Sequence, residues 1–337
     1  TPIFQEMVKS TKGKFSSFLN LSAASGEVET RNAWVEMRKS DKLKFRIGKL
    51  YRPFGLYNER LDAVPTYIGI EAPELYDSDH LLLTRTTNFM MHGDFYVNGN
   101  TLRYAITTGN DERLGGEVPI GADLRYTKIT DAGNTFLVGA SFYTSGGAAV
   151  RTDSNVGGVA SWMERDEYTV SGLYTEYLTP KHTFQAAYYQ SSHSAVRNLS
   201  TINGWDPSSL NDGQRERICG GANWGSCTEA DVDYDIVTWY VRYGYTFESN
   251  DWGMITPYVQ WDYYKNPEMI ANKDLGGDNE AGLADDGAFN KQTLGIFFRP
   301  ENELAIKVDA SNHQQEMDGK TVNYAEIRSS FSYIWAL

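Results

Sequence analysis

Apolar and polar residues alternate one for one along most of this chain, in runs of about ten residues. Between Thr238 and Phe247, Trp239, Val241, Tyr243, Tyr245 and Phe247 share one parity, and Thr238, Tyr240, Arg242, Gly244 and Thr246 share the other. Leu43, Phe45 and Ile47 alternate with Lys44 and Arg46; Leu102, Tyr104 and Ile106 with Arg103, Ala105 and Thr107; Leu304, Ile306, Val308 and Ala310 with Ala305, Lys307, Asp309 and Ser311. Successive side chains of an extended strand point to opposite faces, so each run reads as a strand with one apolar and one more polar face. Helical spacing is hard to find.

Fourteen such runs lie near 13–22, 28–39, 42–50, 87–97, 100–109, 119–130, 134–144, 167–178, 181–191, 234–248, 253–264, 288–299, 302–311 and 322–336. Globular strands average about five or six residues, whereas a tilted strand crossing a bilayer needs about nine to eleven. The links alternate too. Tight ones (Ser40-Asp41, Asn98-Gly99, Asp131-Ala132-Gly133, Thr179-Pro180, Ser249 to Trp252, Pro300-Glu301) take turns with long ones at 51–86, 110–118, 145–166, 192–233, 265–287 and 312–321. The link 23–27 falls on the long-loop rim although it is short. One rim of short turns and one of long loops is the pattern of an outer-membrane barrel, and an even strand number puts both termini on the short-turn, periplasmic rim.

The expected fold is therefore all-β: a transmembrane antiparallel up-and-down β-barrel of 14 strands, or 16 if a hairpin is hidden in 145–166 or 192–233, with 1–337 forming a single domain. A soluble sandwich or propeller also alternates. Here the faces opposite the apolar ones are mostly charged, polar or small, so two packed sheets would lack a dry core. Tyr126, Trp239, Trp261, Tyr263 and Trp335 stand near run ends, where an interfacial aromatic girdle would sit. The last run, Phe331, Tyr333, Trp335 and Leu337, resembles the alternating aromatic C-terminal strand of outer-membrane barrels.

Composition fits a wall wetted on one side. The mean hydropathy is −0.48, yet the chain carries 22 Tyr, 15 Phe and 8 Trp. No apolar run approaches a membrane helix. The sequence opens at Thr1 with no basic-then-apolar leader, which is read as a start from which any signal peptide has gone. A net charge of −13 offers no positive field for nucleic acid. The six long loops hold 26 acidic and 12 basic residues, so they carry the whole net charge. A solvated rim, a negative vestibule, or loops bridged by divalent cations to lipopolysaccharide would each use that surplus.

A charge facing lipid costs about 2–4 kcal/mol near the bilayer midplane, so charges on the polar parity are expected to line the lumen. These are Lys44, Arg46, Arg103, Arg125, Arg242, Arg299, Lys307 and Arg328, with the acids Glu36, Asp94, Asp123, Asp262, Asp309 and Glu326. They either favour anions through their surplus of base or pair across strands to stiffen the wall.

The link 51–86 is too long for a plain rim loop and carries its own apolar residues, among them Leu61, Val64, Tyr67, Ile68, Ile70 and Leu81 to Leu83. Apolar loop residues must be covered by something. Folding into the lumen would cover them and narrow the pore, with Arg52, Glu59, Arg60, Asp62, Glu71 and Glu74 forming a charged eyelet. Packing over the mouth or against a neighbouring subunit would cover them too.

Cys219 and Cys227 are separated by seven residues, three of them Gly, in the long 192–233 link, and are expected to form an extracellular disulfide. No EF-hand spacing, GxSxG, HExxH or CxxCH occurs, so no metal, cofactor or catalytic residue is expected. The five histidines, His80, His92, His182, His193 and His313, match no catalytic spacing; His92 shares the parity of Asp94 and is expected to face the lumen.

Arg31 to Glu59 contains Phe45-Arg46-Ile47-Gly48-Lys49-Leu50-Tyr51-Arg52-Pro53-Phe54-Gly55. It resembles the porin O and P family of Gram-negative bacteria, which includes phosphate-selective porins, and His92 to Asn110 resembles the hairpin that follows in that family. The resemblance implies a homotrimeric diffusion channel in the outer membrane, constricted by an inward loop, with Arg46 at a ladder-like arginine position. The functional expectation is a porin passing small hydrophilic solutes or ions, with outer-membrane lipid and lipopolysaccharide around it. The rival expectations are a barrel acting as adhesin or receptor through its loops, and, further off, a barrel enzyme.

Overall fold

The computed structural model describes the chain except at residues 1–2, 11–12, 25–26, 61–65, 74–75, 77–81, 84, 110–117, 146–162, 205–226, 228–229, 269–287, 318–319 and 334–337. The described residues form sixteen strands and one short helix: β1 (Ile3–Lys9), β2 (Phe15–Ala24), β3 (Glu27–Ser40), β4 (Leu43–Tyr51), β5 (Thr86–Val97), β6 (Asn100–Thr108), β7 (Ile120–Ile129), β8 (Thr135–Thr144), β9 (Met163–Leu178), β10 (His182–Arg197), α1 (Leu199–Gly204), β11 (Asp231–Tyr245), β12 (Phe247–Ser249), β13 (Gly253–Lys265), β14 (Ala288–Glu301), β15 (Leu304–Met317) and β16 (Lys320–Tyr333). They make one antiparallel sheet in which strands pair in sequence order, except that β11 passes over the short β12 to pair β13, and β12 pairs β13 alone. Among the described residues, no helix is long and apolar enough to cross a membrane.

Each of the fourteen expected runs overlaps a strand. Two strands are additional. β12 is separated from β11 only by Thr246. β1 carries little alternation to mark it, because it is short and Met7 and Val8 are adjacent apolar residues, both exposed. Because β1 adds a crossing before the first expected run, Ile3 stands on the long-link rim, which corrects the expectation that the chain starts on the short-turn rim. Strands also reach further toward the long links than expected: β10 continues to Arg197 and β9 begins at Met163. Most of 145–166 and 192–233, where a hairpin would raise the count to sixteen, lies outside the described residues; those that are described fall in β9, β10, α1 and β11, apart from Ser145, Asn198, Cys227 and Ala230 between them.

The two faces of the sheet have opposite chemistry. Leu124, Val138, Leu173, Val241, Val259, Leu294, Val308 and Ile327 are exposed, and the residues one position away, such as Asp123, Tyr174, Arg242, Gln260, Thr293, Lys307 and Asp309, are buried. This inverts a soluble domain, where apolar groups go inside. The buried face also carries tyrosines laid over glycines. Tyr174 faces Gly139, Tyr189 faces Gly172 and Tyr258 faces Gly295 on adjacent strands. A β-carbon on Gly172 would come within 2.1 Å of the Tyr189 ring. The ring therefore rests on backbone that only glycine leaves bare.

The sheet curls around the segment that links β4 to β5. The ends of that segment stay together at the wall: Tyr51 pairs with Thr86, and the Arg52 amide donates to the Arg85 carbonyl at 3.0 Å. Between these ends, Phe54, Leu56, Tyr57, Tyr67, Tyr76, Leu82 and Leu83 bury themselves against Tyr143, Tyr168, Val170, Tyr174, Tyr189, Tyr234, Ile236 and Tyr240 of β8 to β11. Gly55, in the left-handed region at φ 62°, turns the chain so that its amide donates to Ser141 Oγ on β8 at 3.0 Å.

Candidate functional site: the charged interior around residues 52–85

From its start at β4, the segment meets the wall strand by strand. Glu59 pairs with Arg125 on β7 at 2.8 Å. Arg60 makes two bonds to Glu176 on β9, at 2.8 and 3.2 Å. Tyr57 donates to Gln185 on β10 at 2.5 Å. Further on, the Ile70 amide donates to Asp309 on β15 at 2.9 Å, and Lys307 donates to the Gly69 carbonyl at 2.7 Å. Glu71 then reaches Lys291 on β14 at 3.4 Å and Arg328 on β16. A single segment thus touches the buried face from β7 round to β16.

Arg242 on β11 bolts the two parts together. Its guanidinium donates to Gln260 at 2.5 Å, to the Tyr57 hydroxyl, and to the Ile68 and Glu71 carbonyls at 2.6 and 3.3 Å. Gln260 in turn donates to Asp262 at 2.6 Å.

Opposite the segment, β3 to β7 carry a ladder of paired charges. Asp94 accepts from Lys44 and Arg103, both at 2.8 Å. Glu36 accepts from Arg46 at 3.0 and 2.6 Å and lies 2.9 Å from His92 Nε2. The Arg46 guanidinium stacks 3.8 Å from the Trp34 ring centroid. Asp123 accepts from Arg125 at 2.6 Å and from the Tyr174 hydroxyl at 2.8 Å. Between this ladder and the segment is a cavity of about 160 Å³ lined by Glu36, Lys44, Arg46, Pro53, Glu59, Met90, His92, Asp94, Arg103 and Ala105.

Glu59 is the segment's acid at this aperture. Burial among protein groups would raise its pKa, but the charge of Arg125, with lesser help from Arg103 and Arg46, holds it below the ordinary glutamate range. Its side chain keeps contact with solvent space although protein surrounds it. Tyr57 moves the other way: burial pushes its phenol up, against the partly compensating Arg242 charge.

Every charge assigned by parity to the polar face (Lys44, Arg46, Arg103, Arg125, Arg242, Arg299, Lys307 and Arg328, with Glu36, Asp94, Asp123, Asp262, Asp309 and Glu326) is on the parity opposite the exposed apolar residues. Arg46 is matched one to one by Glu36, whereas Lys44 and Arg103 share the single carboxylate of Asp94. Of the segment residues, Glu59, Arg60 and Glu71 make ion pairs with the wall, and Arg52 is fully buried, its guanidinium 4.3 Å from the Tyr143 ring centroid on β8 and 3.3 Å from the Thr86 carbonyl on β5. Asp62, Glu74, His80, Trp335 and Leu337 lie outside the described residues. Cys227 is disulfide-bonded and buried; Cys219 lies outside the described residues.

Several partners were not anticipated from the sequence. Glu176 and Lys291 share parity with buried residues, but the buried face of β9 is itself rich in Tyr and Val, so alternation there does not say which side is polar. Arg197 makes a buried bidentate pair with Glu268, at 3.1 and 2.8 Å. His193 lies 2.7 Å from Ser191 Oγ and 3.0 Å from Asp166. The spacing is that of a nucleophile, base and orienting acid. However, the imidazole is stacked between Tyr168 and Tyr234, all three residues are buried, and none lines the cavities described here. Among the described residues no group of three or more His, Cys, Asp or Glu side chains could hold a metal ion.

No protein-family model and no curated protein matches the sequence. Solved structures do match its shape. An anion-selective porin from Comamonas acidovorans aligns at a TM-score of 0.53 and 10% identity, over 98% of this chain and 86% of that one. The outer membrane channel DcaP of Acinetobacter baumannii aligns at 0.52 and 10%, over 95% and 80%. Outer-membrane expressed OmpT of Vibrio cholerae aligns at 0.51 and 9%, over 98% and 88%. The chain thus has the fold of these outer-membrane proteins: an all-β, antiparallel, up-and-down sheet.

Proposed function

We propose that the chain is an outer-membrane porin, a closed barrel through which small hydrophilic solutes or ions diffuse passively. One observation carries this reading: the sheet exposes Val241, Leu294 and Ile327 and encloses Arg242, Lys307 and Asp309. That arrangement is stable only with lipid outside and polar groups or water inside. On this reading residues 1–337 form one barrel domain and 51–86 is its constriction loop. Residues 192–233 form an extracellular loop closed by a Cys219–Cys227 disulfide, and the parity-assigned charges line the pore. The sequence resemblance implies a homotrimer. Outward Trp261, Tyr243 and Tyr188 suit the lipid interface.

Proteoliposome swelling tests it. Vesicles carrying the folded protein swell in isotonic arabinose and progressively less in larger sugars. Vesicles that stay impermeable to arabinose, with loops that still capture a ligand, favour an adhesin or receptor instead.

Two effects follow at once. Leu294→Arg puts a charge on the lipid face at a cost of about 2–4 kcal/mol if near the midplane, read as a lower urea midpoint for refolding into vesicles; Thr293→Arg, one residue away and facing inward, lacks that cost. Glu59→Gln removes the acid facing Lys44, Arg46, Arg103 and Arg125, so the reversal potential in a salt gradient moves toward anions. Because the folded pKa of Glu59 is depressed, its docking contribution is full above about pH 4.3 and is lost as pH falls through the lowered value. The wild type should drift toward anion preference on acidification, and the Gln variant should show less of that drift.

A further inference from the structure

A second cavity, of about 360 Å³, lies beside the segment among Arg60, Tyr67, Ile68, Glu176, Phe297 and Arg299, together with Leu178, Met254 and several threonines. Leu178, Met254 and Arg299 are next to tight turns, so it sits toward the short-turn rim. Its volume is at the lower end of small-molecule sites, roughly 300–1,000 Å³.

Its charge is unbalanced. Three charged side chains line it, and two of them, Arg60 and Glu176, neutralise each other through paired hydrogen bonds at 2.8 and 3.2 Å. Arg299 has no such partner among the described residues. Its Nη2 donates to the Asn302 carbonyl at 2.6 Å, its Nε is buried without a hydrogen-bond partner, and its guanidinium lies 5.8 Å from the Phe297 ring centroid. Behind the wall, Lys307 stands 4.5 and 5.3 Å from the Tyr67 and Phe297 ring centroids and donates to the Gly69 carbonyl at 2.7 Å. Arg299 therefore leaves one positive charge, unpaired among the described residues, at the edge of a wall that mixes aromatic and aliphatic side chains with threonines and Gln185.

We propose that this cavity binds a small organic monoanion: a carboxylate that meets Arg299, attached to an apolar or aromatic body that covers Tyr67, Ile68 and Phe297. An inorganic anion would meet the Arg299 charge and leave most of the cavity to water. A neutral arene would fill the space and leave the Arg299 guanidinium without a counter-charge. The proposal deepens the channel reading by naming a solute class, and its test needs no current.

The test is calorimetric titration of the whole protein in detergent micelles with sodium benzoate, benzyl alcohol and sodium formate, with empty micelles as the blank. Benzoate binds, and the other two bind at least tenfold more weakly. Arg299→Gln weakens benzoate at least tenfold, Arg299→Lys recovers part of the loss, and Met254→Trp, which fills the space, also weakens it. Benzoate that gives no binding heat, that benzyl alcohol equals, or that binds Arg299→Gln as well as the wild type overturns the site. Variants are compared only if they keep the heat-modifiable electrophoretic shift of a folded barrel; the benzoate and benzyl alcohol comparison needs no variant. Conduction without benzoate binding overturns this site alone, and binding without conduction overturns the channel reading alone.

Discussion

Replacing residues 54–83 with a short Gly/Ser turn raises single-channel conductance several-fold and admits larger sugars. The change is geometrically mild at the wall, because Tyr51 already pairs with Thr86 and the Arg52 amide already bonds the Arg85 carbonyl. A hairpin there needs only a few residues. The interior change is large. Phe54, Leu56, Tyr57, Tyr67, Tyr76, Leu82 and Leu83 leave, and with them the contacts that bridge the lumen to β15 and β16. Each large apolar side chain so buried is worth about 1.5–3 kcal/mol, so the variant melts earlier. The strand ladder does not depend on the segment, and the variant still folds. An excised protein with wild-type conductance would mean that the segment does not lie in the ion path.

Arg242→Met is expected to free the same segment without removing it. The guanidinium is fully buried and supplies donors to the Ile68 carbonyl, the Glu71 carbonyl and the Tyr57 hydroxyl. Methionine fills comparable volume and donates nothing. Each acceptor left unmet costs about 1–3 kcal/mol, and the bonds lost are charge-assisted, so the local opening free energy of residues 66–71 should fall by about 3–5 kcal/mol. Hydrogen exchange reads this directly: the Ile70 amide, bonded to Asp309, exchanges at least a hundredfold faster, and β9 and β10 amides change little. Lysine at this position keeps the charge but not the fork of donors, and rescues little. Unchanged Ile70 protection in Arg242→Met would show that Arg242 does not hold the segment.

Alternation made the faces of the sheet legible in the sequence, because side-chain direction in a strand is local. Parity alone put Lys44, Arg46, Arg103, Asp123 and Asp309 on the face opposite Leu124 and Val308. Local pattern also marked 51–86 as a segment with apolar residues in need of cover. Its partners were not legible. Arg60 meets Glu176 across 116 positions and Ile70 meets Asp309 across 239; no short-range period encodes such pairs. β9 to β11 were harder still, since Tyr168, Val170, Tyr174 and Tyr240 make the buried face as apolar by composition as the exposed one. β1 failed for the opposite reason: seven residues with adjacent exposed apolar side chains offer too few alternations to mark a face.

The measurement that bears most directly on a wetted, segment-narrowed lumen is the current through a planar lipid bilayer at fixed voltage after the folded protein is added. Discrete, equal upward steps, larger when residues 54–83 are replaced, are the expected result. A bilayer that holds the bare-lipid baseline, with folded protein shown to have inserted, would contradict it.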